Sequence, residues 1–181
     1  AMASDDADVV LVSGGTSVGQ EDHAPRLLSE LGELSYHGIS MRPSSPTGIG
    51  RIDGRFVFLL PGNPVSCLAA YEFFAGPTIR ALGGRNRAWP HRHARVPLAR
   101  KIASEIGRTD YVRVAVDNGL ATPLATAGAS ILSSTVRAAG AVIVARELEG
   151  MPEGAEVDVL LYDEEPGAEI GLAGAARGGW S

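Results

Sequence analysis

Apolar and polar positions in the first half of the chain alternate in the pattern of an α/β domain. Residues 9–12 form a continuous apolar run rich in valine, which is typical of a strand buried on both faces of a sheet. The leucines of residues 27–31 follow at helical spacing, with Pro25 suited to the first helical turn and Gly32 to the end of the helix. The pattern predicts a strand, a glycine-rich turn and a helix, in that order.

Further strands and a long helix are predicted next. Residues 36–41 are expected to form a second strand, and the Asp-Gly pair 53–54 is a hairpin turn signal between strands at 48–52 and 56–60. A helix is predicted from Val65 towards Leu82, with a kink or break at the Gly-Pro pair 76–77.

Residues 85–97 are basic and contain proline, which suggests a connector, and we place the domain boundary between residues 85 and 86. The charge of this segment fits a solvated linker, and a phosphate-binding surface is the alternative. Beyond it, short apolar stretches separated by Gly, Pro and Asn predict a small barrel or sandwich. The strand candidates are residues 111–116, 120–124, 141–145 and 157–162, with an Asn-Gly turn signal at 118–119.

The composition limits the classes of function. The 181 residues are 45% hydrophobic and carry a net charge of −5, which argues against a nucleic-acid binder. The single cysteine, Cys67, is interpreted as a small hydrophobe and fits a reducing compartment. No apolar run has membrane length and no signal peptide is visible, so a cytoplasmic location without a membrane partner is expected. The first three residues are typical of a cloning remnant, so the chain is expected to begin within a longer protein.

The first candidate site is residues 13–22 (SGGTSVGQED). A strand that runs through such a turn into a helix offers backbone N–H groups to an anion. Glu21 and Asp22 would place two carboxylates beside that anion, where they suit a divalent metal. Asp22 also suits a plain helix cap, so both interpretations stay open.

Two further segments carry candidate chemistry. Residues 60–66 (LPGNPVS) follow a predicted strand, and ligands bind at strand ends in open α/β sheets. The alternative is a purely structural helix start, capped by Asn63 or Ser66. In residues 41–46 (MRPSSP), Arg42 suits bidentate binding of an oxyanion, with an ordinary surface arginine as the alternative.

These segments, in this order, resemble the motifs of one family. Residues 8–22 are similar to the signature of the molybdopterin molybdenumtransferases, the MoeA and gephyrin E-domain family, and residues 60–66 are similar to its second hallmark. Residues 128–134 (GASILSS) resemble its C-terminal barrel motif.

The resemblance implies an α/β fold class. Residues 1–85 would be the C-terminal part of a molybdopterin-binding α/β domain, and residues 86–165 a small all-β barrel domain. The tail at 166–181 is expected to be disordered. The chain alone is expected to be inactive, because the family's N-terminal domains would precede residue 1.

The resemblance also implies a transferase of molybdenum cofactor biosynthesis. The family inserts molybdate into adenylated molybdopterin (molybdopterin-AMP), uses magnesium (Mg2+) and releases AMP. It works as a homodimer with active sites between protomers, and a molybdopterin adenylyltransferase is an expected partner.

Roles for individual residues follow from their positions in the family's motifs. Asp22 and Arg42 would be catalytic, and Glu21 and Asp22 would hold the metal. The molybdopterin-binding residues would be Gly14, Gly15, Thr16, Ser17, Gly19, Pro61, Gly62, Asn63, Pro64, Ser66 and, from the barrel of the same or the partner chain, Ser134.

One motif departs from the family. Its Lys-Pro-Gly-Lys-Pro reads Arg-Pro-Ser-Ser-Pro at residues 42–46, so Ser45 stands where a second lysine is expected. The missing charge leaves open a preference for tungstate, or a non-catalytic molybdopterin-binding scaffold or regulatory module that has lost metal insertion. A third hypothesis is an interaction domain without a ligand, in which the glycines serve only as turns.

Overall fold

The computed structural model describes residues 7–14, 23–124 and 138–162. The chain divides into two compact units, Ala1–Pro90 and His91–Ser181. The expectations that lie outside the described residues include the capping role of Asp22, the barrel motif at 128–134 and the tail at 166–181. In the described ranges, no helix has the length and apolar character that crossing a membrane requires.

The first unit is an α/β domain with helices on both faces of a sheet. Its described elements are β1 (Val9–Ser13), α1 (His23–Leu31), β2 (Glu33–His37), β3 (Met41–Arg42), β4 (Gly48–Ile52), β5 (Arg55–Leu60), α2 (Pro64–Ala70), a π-helical turn (Tyr71–Ala75) and α3 (Gly76–Leu82). The sheet order is β1-β5-β4-β2, in which β1 pairs with β5 in parallel and the other pairs are antiparallel.

Strand β5 lies at the centre of the core because its side chains are buried on both faces of the sheet. Val57 and Leu59 pack against Leu28 of α1, whereas Phe58 and Leu60 pack on the opposite face against the helical run that begins with α2. These four side chains of β5 are at most 4% exposed. Burying each contributes about 1.5–3 kcal/mol, so β5 holds both helical layers in place.

The hairpin predicted around residues 53–54 is confirmed. Asp53 has a φ of 50° and Gly54 a φ of 80°, the two positive values that a tight turn between twisted strands requires. The strand predicted at residues 9–12 is also confirmed, as β1. Its predicted burial on both faces is wrong for Leu11, which is 43% exposed, because β1 lies at the edge of the described sheet.

Two predictions have to be corrected in detail. The single strand expected at residues 36–41 is wrong, since β2 ends at His37 and Gly38 turns the backbone with a φ of 86° before β3 begins. The predicted long helix does continue to Leu82, but a π-helical turn replaces the break. There the N–H of Gly76 donates to the carbonyl of Tyr71, and this wider turn accommodates the proline that follows.

The second unit is a curled antiparallel sheet. Its described strands are β6 (Arg92–Pro97), β7 (Ile102–Ala103), β8 (Thr109–Asp117), β9 (Leu120–Pro123), β10 (Gly140–Val144), β11 (Gly150–Met151) and β12 (Glu156–Leu161). They pair in the order β9-β8-β10-β12-β6, and β7 pairs with β11. A bridge from Leu98 to Ala121 brings the two ends of this order together. The predicted barrel is thus a barrel-like sheet, although the described strands do not pair continuously into a closed one.

An apolar cluster fills the inside of this sheet. Its buried members are Val96, Leu98, Ile102, Val112, Val114, Ala121, Val142, Val144, Val157, Val159 and Leu161. The connector predicted at residues 85–97 is wrong over its second half, which forms β6. Ala94 and Val96 pack against the cluster and Arg95 between them is exposed, so an ordinary strand alternation was hidden by the basic composition.

Two arginines of the second unit have shifted pKa values. Asp110 is 1% exposed, and Arg108 donates to its two carboxylate oxygens at 2.7 and 3.3 Å. This hydrogen bond raises the pKa of Arg108. Burial lowers the pKa of Arg113, which lies in β8. The pairing of Arg108 with Asp110 offsets the cost of removing that carboxylate from water.

Leu59→Ala is expected to lower the free energy of unfolding of the first unit by about 2–5 kcal/mol. The reason is that Leu59, at 1% exposure, packs between the sheet and α1. Leu31→Ala is the matched control on α1 itself, where the leucine is 49% exposed, and we expect a change below about 1 kcal/mol. Urea unfolding followed by circular dichroism measures both, and equal losses would contradict this placing of the core.

Candidate functional site

The carboxyl ends of β1 and β5 form one corner of the first unit. The two strands run in parallel with Ser13 opposite Leu60, so the segments that follow them begin side by side. The N–H of Gly14 donates to the carbonyl of Leu60 at 3.0 Å, which extends the pairing by one residue. Two of the predicted binding segments, residues 13–22 and 60–66, therefore start at the same edge of the sheet.

Two glycines leave this corner open. Gly14 has a φ of 88°, a conformation that other residues rarely adopt, and a Cβ at Gly14 would meet no atom of the described residues within 4 Å. A Cβ at Gly62 would meet one neighbour, the Cα of Gly14, at 3.4 Å. A ligand can thus approach the backbone closely here. Since the N–H of Gly14 is already bonded to Leu60, Gly14 contributes space rather than a hydrogen-bond donor.

Asn63 fixes the start of helix α2. Its side-chain oxygen accepts from the N–H of Val65 at 3.1 Å and from that of Ser66 at 3.3 Å. Pro64 occupies the first turn, where its missing N–H costs nothing. The structural alternative for this segment, a helix start capped by Asn63, is therefore what the structure shows. Any role of Asn63 in binding a ligand stays a prediction.

Cys67 connects the two segments of the corner. Its sulfur lies 3.8 Å from the hydroxyl oxygen of Ser13, the last residue of β1. Cys67 is half-buried and packs against the cluster that contains Phe58 and Leu60. The sequence predicts a small hydrophobe at Cys67, and Ser13 is not among the predicted binding residues. The only sequence signal was the position of each residue. Ser13 directly follows a predicted strand, and Cys67 lies in the first turn of the helix predicted from Val65.

The third predicted segment is tied to α2. Ser44 is 3% exposed and its hydroxyl donates to the carbonyl oxygen of Ser66 at 2.5 Å. Its φ of 91° lies in the left-handed region, which costs a non-glycine residue about 1–3 kcal/mol. The carbonyl of Ser44 accepts from both the side chain and the N–H of Thr47, which is fully buried. The loop that begins at Arg42, which is exposed, is thereby held on the first turn of α2.

The structure thus brings part of the predicted site together. Gly14 and the segment from Pro61 to Ser66 form the corner, and the loop that begins at Arg42 is tied to it through Ser44. The other predicted site residues lie outside the described ones: Gly15, Thr16, Ser17, Gly19, Glu21, Asp22 and Ser134.

The chemistry of the described corner suits an anion better than a cation. Its polar side chains are those of Ser13, Asn63 and Ser66, of which the Asn63 oxygen caps α2, and Arg42 carries a positive charge on the adjoining loop. Across the described ranges, His, Cys, Asp and Glu side chains nowhere gather in a group of three that could hold a metal. The described part of the corner therefore offers no magnesium site, and the two carboxylates predicted for that role lie outside it.

Comparison with known proteins identifies both halves of the chain. Residues 1–81 match the family described as "Probable molybdopterin binding domain", and residues 95–162 match the family described as "MoeA C-terminal region (domain IV)". The chain is 26% identical to a molybdopterin molybdenumtransferase of Staphylococcus aureus, over 90% of this chain and 40% of the relative. It is 31% identical to that of Haemophilus influenzae, over 61% of this chain and 28% of the relative.

A solved structure agrees with these matches. The MoeA protein of molybdopterin biosynthesis from Pyrococcus horikoshii superimposes with a TM-score of 0.70 at 36% identity, covering 85% of this chain and 37% of that one. The chain spans less than half the length of each of these three relatives. Because one superposition on a single MoeA chain covers 85% of this chain, both matched halves align with that protein, and this chain belongs to the MoeA family and corresponds to its C-terminal portion.

Proposed function

We propose that the protein acts in molybdenum cofactor biosynthesis as a molybdopterin molybdenumtransferase, which inserts molybdate into adenylated molybdopterin and releases AMP. The observation that carries the proposal is the corner between Gly14 and Gly62, where a Cβ added at Gly62 would lie 3.4 Å from the Cα of Gly14. The names of the relatives from Staphylococcus aureus and Haemophilus influenzae support the same activity.

In this mechanism the corner seats the phosphate of the pterin. Because Gly14 and Gly62 carry no side chain, the phosphate would contact the backbone directly at both residues. The glycine-rich sequence that follows Gly14 would supply backbone N–H donors. Ser13 and Ser66 add hydroxyls at its edge.

Arg42 meets the second reactant, the molybdate oxyanion. A guanidinium binds an oxyanion through two parallel hydrogen bonds, which fixes orientation as well as charge. The dithiolene sulfurs of the pterin form two bonds to molybdenum as molybdate loses one oxo group as water, without a covalent intermediate on the protein. Water cleaves the phosphoanhydride bond of the adenylated pterin, and AMP leaves. The contribution of the protein is then to hold two anionic reactants in reacting geometry and to reduce their repulsion.

The finer parts of the proposal rest on residues and partners beyond the described corner. Glu21 and Asp22 would hold magnesium, which would neutralise phosphate charge when bound. Ser134 would face the corner from the barrel of the same chain or of the second chain of a homodimer. A molybdopterin adenylyltransferase would supply the adenylated substrate, and the reaction would take place in the cytoplasm.

The non-catalytic alternative differs from this proposal in its response to molybdate. A scaffold that has lost insertion would bind molybdopterin and would show no further heat when molybdate is added to the complex. A transferase would bind both. Titration calorimetry with the two ligands in that order therefore separates the hypotheses.

Gly62→Val in the full-length gene product is expected to weaken binding of adenylated molybdopterin at least about tenfold, because an isopropyl group would enter the space beside Gly14. Gly62→Ala should have little effect, since its single methyl group would make an ordinary contact at 3.4 Å. Titration calorimetry measures both affinities.

Gly83→Val is the control for adding a valine to this unit. Gly83 has a φ of −78° and ends α3, about 28 Å along the helical run from Pro64. This variant should keep the affinity of the unmodified protein. If Gly62→Val bound the pterin as well as Gly83→Val does, the corner would not be the phosphate seat.

Asp22→Ala in the full-length gene product is expected to slow cofactor formation on the order of a hundredfold while the thermal unfolding midpoint stays unchanged. The expected reason is loss of the carboxylate that would place the metal beside the phosphate. Ser134→Ala should cause a smaller loss. Glu30→Ala removes an exposed carboxylate from α1 that, among the described residues, pairs with its helix neighbour Arg26, and serves as the control. Normal cofactor formation with Asp22→Ala would remove the role assigned to Asp22.

A further inference from the structure

Three hydrogen bonds hold Ser44 within the loop of residues 41–47. The hydroxyl of Ser44 donates to the carbonyl of Ser66, and the carbonyl of Ser44 accepts from the side chain of Thr47 at 2.7 Å and from its N–H at 3.1 Å. Ser44 and Thr47 are 3% and 0% exposed. Water therefore does not compete for these bonds, and they hold the loop in one conformation.

The backbone of Ser44 favours glycine, yet a serine is present. Its φ of 91° is open to glycine without strain and is unfavourable for a residue with a Cβ. An interaction of the serine side chain must therefore offset the strain. The one contact that glycine could not make is the hydroxyl bond to Ser66.

Ser66 links that bond to the corner. Its N–H is held by the side chain of Asn63, and its carbonyl by Ser44, so both sides of this residue are fixed. The next residue, Cys67, contacts Ser13 at the end of β1. A continuous series of contacts thus runs from the Arg42 loop through the first turn of α2 to the strand end beside Gly14.

We infer that Ser44 is a positioning residue, which clasps the loop carrying Arg42 onto α2 and so sets where the guanidinium meets the oxyanion relative to the phosphate corner. The inference rests on the proposed function for the role of Arg42. Ser44 itself touches neither reactant in this account. Ser44 acts on the position of Arg42 through the loop backbone, because the two residues are two positions apart in the sequence.

The test compares Ser44→Gly with Ser45→Ala in the full-length gene product. Ser44→Gly removes the hydroxyl and relieves the φ strain, so the protein should fold. We expect its KM for molybdate to rise about fivefold to tenfold, the loss that goes with one hydrogen bond, while its KM for adenylated molybdopterin stays unchanged. Ser45→Ala, at the neighbouring exposed serine, should leave both values unchanged.

A double variant separates positioning from a general structural role. In the Arg42→Ala background, Ser44→Gly should cause no further rise in the KM for molybdate, because the residue through which it acts is gone. Equal effects with and without Arg42, or an unchanged KM in Ser44→Gly, would overturn the inference.

Hydrogen exchange gives a readout that does not require turnover. The amide of Thr47 should exchange at least about tenfold faster in Ser44→Gly than in Ser45→Ala. The reason is that the carbonyl of residue 44, which accepts from this amide, belongs to a residue that is no longer bonded to Ser66.

If the unmodified protein formed no cofactor at all, the proposed function would fail. Exchange at Thr47 would still decide whether Ser44 fixes the loop, and an unchanged rate would overturn the clasp.

Discussion

The parallel pairing of β1 with β5 is the constraint on which the candidate site depends. It aligns Ser13 with Leu60, and the bond from Gly14 to Leu60 carries the alignment one residue past the strand ends. Because both strands finish at the same edge, two segments that are far apart in the chain leave the sheet side by side. The pairing is stabilised by the apolar side chains of β5, which are buried on both faces. Strand β5 thus determines both the packing of the core and the geometry of the corner.

The corner is rigid because each flank is held by a polar bond as well as by packing. Asn63 caps the start of α2, and the hydroxyl of Ser44 donates to the carbonyl of Ser66 in the first turn of that helix. An enzyme that joins two anionic reactants without a covalent intermediate has to act mainly by positioning them. The bond between the loop that carries Arg42 and helix α2 provides the fixed geometry that such positioning requires. It also explains why a strained serine would persist at position 44, since strain persists where the surrounding bonds over-determine the conformation.

Features that depend on local sequence could be predicted, and features that depend on distant contacts could not. The apolar run of β5 and the turn at Asp53 follow from hydrophobic pattern and turn chemistry alone. Strand β6 was missed because its basic residues occupy the exposed positions of an ordinary alternation. The contact between Ser13 and Cys67 joins residues 54 positions apart, and the bond from Ser44 joins residues 22 positions apart. Neither has a signature in the local sequence. The motifs indicated which segments meet, and only the fold shows how they are held.

The most direct test of the account is the location of a bound phosphate. A crystal structure of the full-length gene product with adenylated molybdopterin should place a phosphate in the corner, in van der Waals contact with Gly14 and Gly62. The phosphate should accept hydrogen bonds from the backbone that follows Gly14. A phosphate bound elsewhere, with this corner filled by protein side chains, would contradict the claim that the parallel strand ends form its seat.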